Sequence, residues 1–449
     1  MNIQKNVSYR YDLLTKNYIP WRYLNVNNDT CKQIFSELDK TNAVDEFYNS
    51  SKSQIDNFIE NFRSSSKNNK TIVYITGDKC YPMLLRQARL MKNNGFKTFL
   101  INMNPLKIND LESLRYSFID IIQNCTFFPV LGQIIDKINP NYFHVQCWMW
   151  SYYLGKFIIK KKKKISKVIC DFYDVTGMYS DRKSLKIIWD DFIVDQDLEN
   201  EKFIFKNADG IIHRYKEKVF LEYSKRYNRS RNILEFQQYP IKLLKTPKKT
   251  NNGKLKFVFC GTLIPPNDVN HPKELFNATG LINAFTSILE LKHELYIYLP
   301  INGSQEFNKW IYDLRDIFFP ETLKIFDSLP LENLIDEISH YDFGINIQKI
   351  DMESTKLSEF SYKGAMGTKN YTYLEAGLPI LVNDEYLYCK ELVEKHNIGL
   401  AIKSKDFSDL DLILKKYNIS DLKDNVRKFN INNNLYEKSK ELLEFYKSL

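Results

Sequence analysis

The chain has 449 residues, 43% hydrophobic and 27% charged, the balance of a globular protein with enough apolar material for two large α/β domains. A net charge of +9 spread over the whole length, with no arginine-rich tail and no RNP-like or zinc-knuckle pattern, ranks nucleic acid low and leaves an anionic small molecule or an anionic membrane surface as partners. Seven cysteines at 31, 80, 125, 147, 170, 260 and 389 form no C-x-x-C pair, and no run of 18 apolar residues or N-terminal apolar segment occurs, so reduced thiols in the cytoplasm are expected in place of a disulfide framework, a zinc site, a signal peptide or a membrane span.

Residues 1–66 form a polar N-terminal extension with aromatic clusters and a predicted helix from about Asp45 to Arg63. The first domain is placed at 67–240. Thr71–Thr76 reads as a strand, Gly77-Asp78 as a turn, and a helix runs to about Asn93; Gly95 then ends it before the strand Lys97–Asn102. Further strands are predicted at Tyr142–Gln146 and Lys167–Asp171, with a Trp/Tyr-rich helix between them. A helix end, turn and strand follow at Phe203–Ile212.

The clearest break is the basic, Pro/Gly-punctuated linker, bounded as 241–254. The strand-helix alternation then restarts in a second domain, 255–430. Its predicted strands are Leu255–Cys260, His293–Leu299, Leu323–Phe326, Phe343–Ile347, Ile380–Val382 and Gly399–Ile402, with helices between them. A long loop is expected at 348–366 and a last helix at 431–449. Alternation of this kind, twice over, predicts an α/β protein with two doubly wound parallel sheets.

The chain is organised around Gly364–Asp384. Thr368 is predicted as the N-cap of a helix over Lys369–Ala376; Gly377 closes it, Pro379 blocks its continuation, and Ile380-Leu381-Val382 follows as a strand. A helix start behind Gly364 and Gly367 offers N–H groups and a positive dipole end to an anion, and Lys369 adds charge there. Glu375 stands about 10 Å further along the helix at ~1.5 Å per residue, comparable to the span from a diphosphate to its ribose hydroxyls.

The run Lys369-Asn-Tyr-Thr-Tyr-Leu-Glu-Ala-Gly-Leu-Pro-Ile-Leu resembles the nucleotide-binding signature of GT-B glycosyltransferases, glycosyltransferase family 4 in particular. The resemblance is specific over about 255–403 and looser over about 70–240, where Pro140, His144, Asp171, Asp174 and Asp209 stand near the family's recurring positions. It implies two Rossmann-like domains facing across a cleft, with the last helix crossing back to the first. It also implies a nucleotide-sugar donor, no required metal or other cofactor, and transfer to an acceptor hydroxyl of a cell-surface glycan, a lipid-linked glycan or a glycoprotein. Glu375 matches the acid that holds the donor ribose.

Other residues follow from the same comparison. Gly261-Thr262, after the first strand of the second domain, is either the family's glycine turn at the diphosphate or a plain tight turn. The usual Arg/Lys pair of the next loop is missing. Lys273, or in its place Lys349, Lys363 or Lys369, is left to stabilise the leaving group. Many family members carry a second acid eight positions before the ribose acid; here that position is Gly367. Asp351, Glu353 and Glu359 lie in the preceding loop and are candidates to approach the sugar.

An inverting transferase needs a base, and Asp174 and Asp78, each following a strand, are the candidates. Asp195-Gln-Asp197 matches the short D-x-D pattern of metal-dependent transferases but is expected to be solvated helix charge. Lys160–Lys164 beside aromatics is either a solvated helix end or a peripheral dock on an anionic membrane at the inner face. A non-catalytic GT-B-shaped scaffold subunit is the alternative function, motivated by Gly367 and the missing basic pair. A GT-B nucleotide-sugar epimerase is the third.

Overall fold

The computed structural model describes residues 43–77, 82–103, 114–123, 128–149, 152–187, 189, 191–241, 253–265, 278–300, 305–347 and 354–449. Two compact units are defined. One is made of Met1–Arg214, Leu221–Phe236 and Ser439–Leu449, the other of Tyr215–Phe220 and Gln237–Lys438.

The first unit runs α1 (Ala43–Ser66), β1 (Thr71–Thr76), α2 (Pro82–Asn93), β2 (Lys97–Asn102), β3 (Asp120–Ile122), α3 (Phe128–Lys137), β4 (Tyr142–Cys147), α4 (Tyr152–Lys161), β5 (Lys167–Phe172), α5 (Asp191–Asn207), β6 (Gly210–His213), α6 (Glu217–Ser224) and β7 (Ile233–Glu235). Its seven-stranded sheet has the order β3-β2-β1-β4-β5-β6-β7. Every pairing in it is parallel. Strands covered on both faces must be apolar throughout, and all six residues of β1 are buried. α1 lays Ile55, Phe58, Ile59 and Phe62 on the sheet. Phe58 and Phe62 bring their rings to 5.9 and 5.2 Å from Phe99 of β2.

The second unit continues with β8 (Lys256–Cys260), α7 (Ala278–Glu290), β9 (Glu294–Leu299), α8 (Gln305–Phe318), β10 (Leu323–Asp327), α9 (Leu331–Ile338), β11 (Phe343–Asn346), α10 (Glu359–Gly364), α11 (Thr368–Glu375), β12 (Ile380–Asn383), α12 (Leu387–His396), β13 (Gly399–Ile402) and α13 (Ile419–Asn432). The six-stranded sheet has the order β10-β9-β8-β11-β12-β13, again parallel at every pairing. The strand order reverses between β1 and β4 in one sheet and between β8 and β11 in the other. Doubly wound sheets bind ligands beyond the carboxyl ends of the strands at such a reversal.

The last helix, α14 (Ser439–Ser448), belongs to the first unit. Its Tyr446 hydroxyl lies 2.6 Å from His144 Nδ1, and the Tyr142 hydroxyl donates to the Tyr446 carbonyl at 2.8 Å. A side chain at Gly210 would meet the Phe445 ring at 2.9 Å, so β6 needs glycine to let this helix in.

Among the described residues, the sequence pattern misses β3, β7, α3 and α6. β3 and β7 have three residues each, too short to show a period of two. α3, beginning Phe-Pro, is also missed. The expected loop 348–366 contains α10, and residues 348–353 lie outside the described ones.

Candidate functional site

The second unit places α11 against the carboxyl ends of its central strands. Gly344 of β11 makes this approach possible: a Cβ there would lie 2.1 Å from the Tyr373 ring. The ring crosses the strand, and the Tyr373 hydroxyl accepts the Cys260 N–H of β8 at 2.9 Å. The helix is thus pinned across the β8/β11 reversal. Its far end is tied down by Asn430 of α13, whose Nδ2 donates to the Leu374 carbonyl at 2.6 Å.

The helix begins one residue earlier than its sequence suggests. Gly367 is the N-cap and Thr368 is the first helical residue, with no side-chain cap bond; the predicted Thr368 cap is corrected accordingly. The Gly367 N–H is turned to the Cys389 thiol. The N–H groups of Thr368 and Lys369 have no hydrogen-bond partner among the described residues, as befits a first helical turn. Thr368 is exposed.

Lys369 folds back over the end of β8. Its ammonium lies 4.1 Å from the Phe259 ring centroid. It fills the space beside Gly261, where a Cβ would meet Lys369 Cε at 2.7 Å and Nζ at 2.8 Å. Gly261 itself has φ +137°, a backbone conformation reserved for glycine. Desolvation pushes the Lys369 pKa down to about 8, with the Cys260 thiol the opposing influence. No carboxylate forms a salt bridge with this lysine among the described residues. A half-buried, unpaired cation beside a glycine turn and a helix start is an arrangement for a polyanion. Thr262 follows the turn and is exposed.

Glu375 is the last residue of α11. It is 1% exposed, and its Oε1 accepts the Ile241 N–H at 2.9 Å. The neighbouring Thr372 hydroxyl receives Gln238 Nε2 at 3.2 Å. Together these bonds tether 238–241 to α11. Gln238 and Thr372 drew no attention in the sequence, because neither has a charge or a spacing that marks it. Gly367 has a local cause: a Cβ there would lie 2.7 Å from Asn346 Nδ2, which itself donates to Asn370 Oδ1 at 2.9 Å.

Glu359 and Lys363 pair with each other at 2.6 Å one turn apart on α10. Lys273, Lys349, Asp351, Glu353 and Asp78 lie outside the described residues.

In the first unit Asp174 follows β5 with an exposed side chain. Trp148 Nε1 donates to its Oδ2 at 2.6 Å. Desolvation raises its pKa, while the Arg214 charge and the Trp148 bond pull it down. Behind it, Asp171 is fully buried between His144 Nε2 and Arg214 Nη2, each at 3.3 Å. The Arg214 guanidinium stacks on Tyr173 at 3.0 Å. Asp209 is a structural cap that accepts the Val168 N–H at 2.8 Å and pairs with Lys162 at 3.0 Å.

The D-x-D pair points two ways. Asp195 pairs with Arg182 at 2.6 Å, whereas Asp197 is buried and accepts from Thr176 Oγ1 at 2.5 Å. Only Asp195 is the solvated charge expected of both. No cluster of three or more His, Cys, Asp or Glu suited to a metal occurs among the described residues. In the lysine run, Lys161 pairs with Asp136 at 2.7 Å, Lys162 with Asp209, and Lys160 lies 5.5 Å from the Phe203 ring centroid. Lys163 and Lys164 are exposed. No helix among the described residues is long and apolar enough to cross a membrane.

Residues 316–438 match the family model described as glucosyltransferase 3-like, C-terminal domain. That span runs from the end of α8 through α13 and includes all of α11. No curated protein matches the chain by sequence. Among solved structures, HepE of Anabaena in complex with UDP-glucose aligns with TM-score 0.59 at 10% identity over 84% of this chain and 100% of that one. The catalytic domain of starch synthase IV from Arabidopsis thaliana, bound to ADP and acarbose, gives 0.51 at 8% identity over 85% and 99%. The UDP-GlcNAc 2-epimerase of Neisseria meningitidis, bound to UDP-GlcNAc, gives 0.51 at 12% identity over 85% and 100%.

At these identities the likeness is one of fold, and the chain has the GT-B fold of two Rossmann-like domains. The fold is common to transferases and an epimerase. The resemblance to glycosyltransferases is carried more narrowly by the glucosyltransferase model over 316–438.

Proposed function

We propose that the protein is a glycosyltransferase that takes a hexose from a nucleotide diphosphate sugar, with UDP-glucose the first donor to test. The observation that carries this reading is Lys369, unpaired and half-buried at the start of α11 against Gly261. The glucosyltransferase match and the UDP-glucose bound to HepE support the choice of donor. In this reading the N–H groups of Thr368 and Lys369 hold the diphosphate, the Gly261-Thr262 turn lets it approach, and the Lys369 ammonium offsets the charge that grows on the leaving group as the glycosidic bond breaks. Asp174 takes the proton from the acceptor hydroxyl. Glu375, which braces Ile241 to α11 through Oε1, holds the donor ribose at the far end of the helix. The acceptor is a hydroxyl of a glycan, lipid-linked glycan or glycoprotein.

The test is a titration of the protein with UDP, GDP, CMP, ADP and dTDP, followed by assay of nucleotide release from the corresponding sugar donors. Binding of UDP together with slow release of UDP from UDP-glucose supports the reading. Binding without turnover over a wide panel of donors and acceptors supports the scaffold alternative. Isomerised sugar formed without acceptor supports the epimerase.

A further inference from the structure

The loop that presents Asp174 is held in place more heavily than a surface turn requires. It comprises Tyr173-Asp174-Val175 after β5 and runs into Thr176-Gly177, the start of a one-turn helix over Thr176–Tyr179. The Thr176 hydroxyl donates to Asp197 Oδ2 at 2.5 Å, and the Gly177 N–H donates to Glu201 Oε2 at 3.0 Å. The Thr176 N–H donates to the Tyr152 hydroxyl at 3.2 Å, and that hydroxyl donates in turn to the Asp174 carbonyl. Trp148 fixes the Asp174 carboxylate. Asp197 and Glu201 stand four residues apart on α5, so both face the loop from one side of the helix.

These two acids are buried at 5% and 0% exposure. Burying a carboxylate is costly unless it is well paired. Glu201 forms no salt bridge among the described residues. Neutral donors meet it instead: the Tyr223 hydroxyl, the Tyr227 hydroxyl at 3.2 Å and the Gly177 N–H. Desolvation accordingly pushes its pKa up to about 6. Tyrosine, valine or leucine packing would hold a helix to a loop at lower cost. The carboxylates do what packing cannot, which is to fix the direction of one backbone N–H and one hydroxyl. Gly177 tightens the turn further, since a Cβ there would lie 2.0 Å from the Tyr223 hydroxyl.

We propose that Glu201 and Asp197 are positioning residues: they clamp the Thr176-Gly177 turn so that Asp174 stands in one orientation toward the acceptor hydroxyl. The inference rests on the reading of Asp174 as base. It assigns no contact with substrate to either clamp residue.

The experiment uses the full chain and three variants that preserve shape, Thr176→Val, Glu201→Gln and Asp174→Asn, with two readouts. The first is release of UDP from UDP-glucose, to water and to a panel of p-nitrophenyl glycosides, together with the Kd for UDP. Thr176→Val should lower kcat about tenfold or more, the scale of a small misplacement of a reacting group, with the UDP Kd within about twofold, as expected of sites that share no partner. The second is the indole N–H resonance of Trp148 in 15N-labelled protein, which reports the bond to Asp174 without requiring turnover. Thr176→Val should shift this resonance and speed its exchange with solvent.

As pH falls, the wild-type resonance should move in two steps, one from Asp174 and one from Glu201 near 6. Glu201→Gln should leave one step. Tyr223, Tyr227 and Arg226 are the other titratable groups facing Glu201, and both tyrosines are pushed above their ordinary range. Neither tyrosine therefore titrates in this window.

A Thr176→Val protein with wild-type kcat and an unmoved indole signal overturns the clamp. If Asp174→Asn is inactive in that same experiment, the reading of Asp174 survives and only the clamp fails. An Asp174→Asn protein as active as wild type removes the base, and the clamp's purpose with it.

Discussion

Replacing Lys369 with methionine gives the sharpest test of the donor site. Methionine keeps the unbranched stem that fills the space beside Gly261 and removes the charge that lies 4.1 Å from the Phe259 ring centroid. A charge-assisted hydrogen bond is worth about 1.5–3 kcal/mol, so UDP affinity should fall by roughly 10- to 150-fold at about 1.4 kcal/mol per decade. The pH dependence supplies an independent check. The Lys369 pKa is pushed down to about 8 in the unliganded protein, so the ammonium is mostly present at pH 7 and mostly lost at pH 9.5. Wild-type UDP affinity should therefore weaken as pH rises through about 8, while the methionine variant should show no transition there.

Stability should move the other way. A lysine whose folded pKa lies below its unfolded value binds fewer protons in the fold, so stability gains as pH rises from about 8 toward the ordinary lysine range. Lys369→Met should leave the unliganded protein at least as stable at pH 7. Isothermal titration with UDP at pH 7 and 9.5, and urea denaturation of both proteins, measure these quantities. Equal UDP affinity in the two proteins, with parallel pH dependence, would refute the assignment of Lys369 to the diphosphate.

Other outcomes follow from named contacts. Gly261→Ala forces an L side chain to φ +137° and into the Lys369 stem; a strained backbone of this kind costs about 1–3 kcal/mol, readable as a lower urea midpoint and weaker UDP binding. Glu375→Ala leaves the Ile241 N–H without its acceptor and should lower unfolding free energy by about 1–3 kcal/mol; it should also weaken UDP binding, and unchanged UDP affinity would remove the ribose role. Lys423→Ala removes the ammonium that pairs with the buried Asp342 carboxylate at 3.0 Å and should cost about 3–5 kcal/mol by denaturation. The folded pKa of Glu201, about 6, lies above its ordinary value, so the fold binds its proton more readily than the unfolded chain and stability falls as pH rises from about 4.5 to 6. Glu201→Gln should thus gain about 2 kcal/mol relative to wild type between pH 4 and pH 7.5, measured by urea denaturation at the two pH values.

The parallel sheets were readable because their strands are buried on both faces and therefore form apolar runs that a short reading frame detects, as in Thr71–Thr76 and Ile380–Asn383. Glycine and proline marked the ends of α11 for similar local reasons. The work done by individual acids was not readable. The backbone and hydroxyl partners of Glu375 and Asp197 could not be read from the sequence, because they lie far away in it, 134 positions for Ile241 and 21 for Thr176. The same holds for Lys369, which packs against Gly261, a residue just beyond the end of β8. Spacing reveals which groups share a face, while desolvation depends on what the tertiary fold lays over that face.

The assignment of Ser439–Leu449 to the first unit has a consequence for biosynthesis. Tyr446 covers His144 and Phe445 fills the space above Gly210, so the earlier-made lobe lacks this core piece until residues 439–449 have been synthesised. Gln237–Lys438 is already complete at that moment. Chain order and order of completion are thus inverted, and a stop before Ser439 would damage the unit that was synthesised first.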